Sequence, residues 1–140
     1  MQMGEIFLKL AASACAVAAL LHFACIPWGA DGYRFLGAGE VVADAVASGD
    51  WRPPISAALV GTLLLVLAAY ALAGAGVIQP LPLLQPVLFG SAAVLLLRAV
   101  MFPLLRPMFP GNSDVFWYVS SGAVGLLGLF ILLGALWLKK

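Results

Sequence analysis

The chain has 140 residues, 64% of them apolar and 9% charged, with a mean hydropathy of +1.11. A soluble domain carries roughly 25% charged residues, so this composition excludes a water-facing surface and marks a membrane protein. The net charge of +1, with no basic or acidic block, excludes nucleic acid as a partner.

The first predicted span is 9–28, from Lys9 to Trp28. Ala12-Ser13-Ala14 before Cys15 has the look of a lipoprotein cleavage box, but only a handful of apolar residues precede it. A secretory core needs about 7–15, and the segment is read as an uncleaved transmembrane helix. Cys15 and Cys25 share this helix, and at ~1.5 Å per residue they lie roughly 15 Å apart, too far for a disulfide. There is no CxxC, so both are read as small packing residues.

Gly29–Arg52 forms the only long connection. Phe35/Leu36, Val41/Val42 and Val46 alternate with Glu40 and Asp44, which predicts a short amphipathic helix at the interface, interrupted or preceded by Gly37 and Gly39.

The second span, 54–78, is uncharged and opened by Pro53-Pro54, since proline suits a first helical turn. The third, 84–105, lies between Pro80-Leu81-Pro82 and Pro103 with Pro107, and contains Arg98. The fourth, 114–138, follows the turn signal Pro110-Gly111-Asn112. Each is near the ~20 residues that cross a bilayer core. The expected fold is a single all-α domain over 1–140, a four-transmembrane-helix bundle with an interfacial helix between helices 1 and 2.

In the last span, Gly122, Gly125, Gly128 and Gly134 with Ser121 give small-xxx-small spacing. Close packing within the monomer or homodimerisation would follow, so a homo-oligomer or a membrane partner protein stays open.

Four spans put Lys9, Lys139 and Lys140 on one side and Arg34, Arg52 and Arg106 on the other. Acidic residues contribute little to the orientation rule, and the terminal lysine pair favours cytoplasmic termini. Trp28, Trp51, Trp117 and Tyr118 then fall at the outer boundary and Trp137 at the inner one, as in aromatic belts.

Arg98 is the most informative residue. A guanidinium in hydrocarbon costs about 2.5–3.5 kcal/mol on insertion scales unless it finds a partner or water. His22, the sole histidine, shares a face of small residues with Cys15, Ala18, Ala19 and Cys25, which turns it toward the bundle. Counting from Trp28 and Leu105 places His22 and Arg98 at the same depth, about 9–11 Å below the outer interface. Arg98 has five N–H donors and a neutral imidazole offers one acceptor, so Glu40, Asp31, lipid phosphates or an acidic ligand would supply the rest. Ser91 shares the Arg98 face.

Three readings of this set stand open. One is an outward-opening pocket built from His22, Arg98, Glu40, Tyr33 and Arg34 for an anionic or polar-headed amphiphile. The second is Arg98 snorkelling to the interface. The third is polar glue between helices.

No metal site is expected, because one histidine and two distant cysteines make neither a zinc centre nor bis-histidine haem ligation. Nucleophile–base spacing and a phosphate loop are both missing. No span core carries a carboxylate, which argues against a proton-coupled transporter.

Two groups of phrases recur in pattern elsewhere: Leu21-His22-Phe23 with Tyr33-Arg34-Phe35-Leu36-Gly37-Ala38-Gly39-Glu40, and Ala69-Tyr70-Ala71-Leu72-Ala73-Gly74-Ala75-Gly76 with Leu81-Pro82-Leu83-Leu84 and Leu96-Leu97-Arg98. In these and in layout, most of the chain resembles small four-span bacterial inner-membrane proteins of unassigned function, loosely similar to the DoxX-like group. The resemblance implies an uncleaved multi-pass bundle in the bacterial inner membrane. Some DoxX-like proteins are associated with quinone-linked sulfur oxidation, but no motif here carries those residues over.

The leading expectation is a binding or accessory protein whose pocket holds a lipid-like or quinone-like molecule, with no other cofactor. The alternatives are a small membrane enzyme, an isomerase or quinone-linked oxidoreductase exchanging protons between His22 and Glu40, and a structural subunit assembling through its Gly-rich last helix.

Overall fold

The computed structural model describes residues 2–138, so Lys139 and Lys140, which carry the orientation argument, lie outside the described residues. Helices make up the described chain and no strand occurs among those residues. In order they are α1 (Met3–Trp28), α2 (Ala30–Phe35), α3 (Glu40–Ala47), α4 (Arg52–Gly74), α5 (Leu84–Val100), α6 (Phe102–Leu105) with a 3₁₀ turn at Arg106–Met108, and α7 (Asp114–Leu136).

Three helices, α1, α4 and α7, are long and apolar enough to cross a membrane. The third predicted span differs from expectation. It is a bent pair, Leu84–Val100 and Phe102–Met108, with 68° between the two parts. Pro103 is the physical reason: it has no N–H to bond the Ala99 carbonyl, and its ring occupies the space that bond would need. The second predicted span also stops early, at Gly74, where Val77 N–H bonds the Leu72 carbonyl at 3.0 Å and Gly76 takes φ +71. That left-handed residue ends the helix cheaply because glycine has no Cβ to clash.

α1 is the middle of the bundle. It packs along α4 on one side and α7 on the other, while α5 packs along α7. Its inward stripe is Leu8, Ala11, Ala12, Cys15 and Ala19, all buried at three- and four-residue spacing. Glycine permits the closest approaches. A Cβ on Gly134 would collide with the Leu8 side chain, and one on Gly61 would lie 2.9 Å from the Phe23 ring.

Near the chain termini the bundle closes. Leu8, Ala71, Leu88, Ala92, Ile131 and Ala135 form one core there, joining all four long helices. The Tyr70 hydroxyl donates to the Pro82 carbonyl at 3.0 Å and fastens α4 to the turn before α5. Toward the other end α4 and α5 part company, and the long connection lies over the gap.

That connection folds as two short helices separated at Gly37 (φ +78) and Gly39 (φ +90), the glycines expected to interrupt or precede the interfacial helix. It is held down by the 109–113 loop. Asn112 Nδ2 donates to the Gly37 carbonyl at 3.0 Å, and Glu40 N–H donates to the Pro110 carbonyl at 3.2 Å. The same loop starts α7, where Ser113 Oγ accepts from Phe116 N–H at 3.1 Å as an N-cap.

Candidate functional site

The gap between α4 and α5 is a cavity of about 740 Å³ roofed by α2 and α3. Such a volume falls within the ~300–1,000 Å³ of small-molecule sites. His22 and Cys25 of α1, Tyr33 of α2, Val42 of α3, Ala57 of α4 and Arg98 of α5 line it. The matched depths of His22 and Arg98 thus bring them to one cavity. Ser56 and Val60 of α4 line it too, yet both are exposed, so the wall is open sideways along α4.

Three of the four arginines are tied to carboxylates. Arg34 bonds Asp31 at 2.9 Å and Glu40 at 3.0 Å, Arg52 bonds Asp50 at 2.7 Å, and Arg106 bonds Asp114. Arg98 has no carboxylate partner among the described residues. Its Nη1 instead donates to Ser121 Oγ at 3.2 Å, and its guanidinium carbon lies 5.6 Å from the Trp117 ring centre.

Comparison with protein-family models, curated proteins and solved structures finds no match.

Both partners of Arg98 come from α7 and both are buried, Trp117 at 3% exposure and Ser121 at 6%. Trp117 does not belong to an aromatic belt. It is packed against Phe109 and Phe116 and presents its face to the cation, whereas Trp28, Trp51 and Tyr118 are exposed as expected. Trp117 and Ser121 are four residues apart, one turn on a single face. That spacing was visible in the sequence, but the glycine pattern around Ser121 drew it into a packing stripe instead. Two of the glycines serve packing against α5, Gly125 facing Ala99 and Gly128 facing Leu95 and Leu96, while Gly122 faces open space.

His22 Nδ1 lies 2.7 Å from the Ala18 carbonyl. A carbonyl only accepts, so Nδ1 is the donor in this contact, and in that tautomer of the uncharged ring Nε2 is the acceptor. Cys25 Sγ donates to the His22 carbonyl at 3.0 Å. The Tyr33 hydroxyl is fully buried without a hydrogen-bond partner. Burial, reinforced by the neighbouring Cys25 sulfur, pushes its phenol up to about 12.

Arg34 and Glu40 stand apart from this set. Neither lines the cavity, and each is spent on the other in the roof, where Asp31 and Asp44 also face Arg34. Donation of its N–H groups to Glu40 and Asp31 holds the Arg34 guanidinium above its ordinary value. The predicted five-residue site therefore separates into three cavity residues, His22, Tyr33 and Arg98, and an ion-paired roof. Among the described residues no group of three or more histidine, cysteine or acidic side chains could hold a metal ion.

Proposed function

We propose that the chain is a four-span, DoxX-like protein of the bacterial inner membrane with both termini in the cytoplasm, and that its cavity binds a lipid-like or quinone-like amphiphile. The bent pair 84–108 serves as the third span, with its second part lying along the interface. The observation that carries the reading is Arg98: a cation without a carboxylate, in the wall of a largely apolar cavity large enough for a ligand. An apolar chain would lie against Val42, Ala57 and Val60, while Arg98 and His22 Nε2 hold a polar head. The exposed sideways opening along α4 suits a molecule dissolved in the bilayer.

Binding is favoured over acid–base chemistry because Glu40, the one carboxylate assigned to a proton exchange with His22, is engaged by Arg34. Assembly through α7 is disfavoured because Gly125 and Gly128 already face α5. Native mass spectrometry of protein extracted from membranes tests the reading. A discrete co-purifying amphiphile is expected on the wild type and is expected to vanish in Arg98→Leu. Equal retention by both proteins would refute it.

A further inference from the structure

We infer that the head group taken by this cavity is an oxyanion, a phosphate or carboxylate carried on an apolar chain; this rests on the amphiphile reading above. The charge tally of the wall is decisive. Asp50, Arg52 and Arg98 are its charged members, and Asp50 and Arg52 neutralise each other at 2.7 Å. Arg98 is left as one net positive charge among Leu36, Val41, Val42, Ala57 and Val60. A guanidinium cannot shed its proton, so the remedy other than water is an anion.

The polar atoms around it agree. Ser121 accepts one of the five Arg98 N–H groups, and Trp117 covers the guanidinium face. Neither supplies a counter-charge. Tyr33 is 5% exposed, and its unpartnered hydroxyl lies behind the wall rather than at its surface. A phosphate or carboxylate accepts from the free Arg98 N–H groups and neutralises the cation. A quinone carbonyl accepts from them as well, but leaves the charge in place. His22 Nε2 adds an acceptor, which a hydroxyl on the head, such as that of a monoalkyl hydrogen phosphate, satisfies. Every other arginine in the chain already has a carboxylate at hand, so the missing anion is a property of this site alone.

The test uses Trp117 as reporter, in protein with Trp28, Trp51 and Trp137 changed to Phe and held in phosphatidylcholine nanodiscs. Probes are dodecyl phosphate, dodecanol, decylubiquinone and inorganic phosphate, read by Trp117 emission and by adduct mass. Dodecyl phosphate is expected to bind saturably and at least about tenfold tighter than dodecanol or decylubiquinone, as a charge-assisted bond requires. Arg98→Gln is expected to bring dodecyl phosphate down to the affinity of dodecanol. Dodecanol or decylubiquinone binding as tightly as dodecyl phosphate to the wild type would overturn the oxyanion head and leave the amphiphile reading standing. Inorganic phosphate binding as tightly as dodecyl phosphate would show that the chain is irrelevant and overturn both. Absence of saturable binding by every probe in both readouts would also overturn both. The wild-type comparison decides these outcomes even where the variant is poorly folded.

Discussion

Replacing Arg98 by leucine should leave the bundle about as stable as it was, which separates a ligand-binding arginine from one retained as glue. Removing the guanidinium from hydrocarbon returns about 2.5–3.5 kcal/mol. Against that gain stand its charged hydrogen bond to Ser121, worth about 1.5–3 kcal/mol, and its contact with Trp117, about 0.5–1 kcal/mol. The opposing contributions leave a net change within about 1.5 kcal/mol of zero. Ser121→Ala alone should be the more damaging change, since the cation stays and loses the one hydrogen-bond acceptor it has among the described residues. Unfolding in mixed micelles with increasing dodecyl sulfate, followed by tryptophan emission, measures both variants and their double mutant. A loss above about 3 kcal/mol for Arg98→Leu would refute the reasoning, because it would show a pair whose removal breaks the fold.

Gly134→Ala is expected to lower stability by about 1–3 kcal/mol, because the new methyl collides with Leu8 in the core; thermal melting in detergent checks this. Asn112→Ala should free the connection from the 109–113 loop, seen as faster hydrogen exchange across residues 29–47 with exchange in α1 and α7 unchanged. The Tyr33 phenol has an ordinary value of 10.0 and is pushed up to about 12 in the folded chain. The unfolded chain therefore loses its proton first, and stability should fall as pH rises from about 10 to about 12. Tyr33→Phe should flatten that limb in an alkaline melting series. Asp50 is held below its usual range by Arg52, so its contribution is present at neutral pH and lost as pH falls through the lowered value. Asp50→Asn should flatten the acid limb of the same series.

The long helices were legible because hydropathy over some twenty residues is a strong signal, and because Pro53-Pro54 and Pro110-Gly111-Asn112 mark where α4 and α7 begin. His22 was placed by the small residues on its own face, which needs no knowledge of its neighbours. Arg98's partners were harder to see. Which side of α7 meets α5 depends on how Gly125 and Gly128 seat against Ala99 and Leu96, and a single helix pattern does not encode that pairing. Trp117 illustrates the point: its position near a helix start suits a headgroup belt, yet the packed helix turns it inward. The break at Met101 was likewise hidden, since Pro103 reads equally well as the end of a span or as a bend within one. The Glu40–Arg34 pair was hidden for a different reason. The stretch between them contains the Gly37–Gly39 turn, which folds the two side chains onto each other.

The ion-paired roof has a directional consequence. Arg34 is outnumbered by Asp31, Glu40 and Asp44, so the exposed roof is net acidic. A dissolved anion meets repulsion there within a Debye length of about 8 Å. On the proposed reading, a molecule travelling in the plane of the membrane would instead meet the flank of α4 at Ser56 and Val60, behind which Arg98 sits. Front and side of the same chamber would then carry opposite invitations, and the direction of approach would sort its visitors.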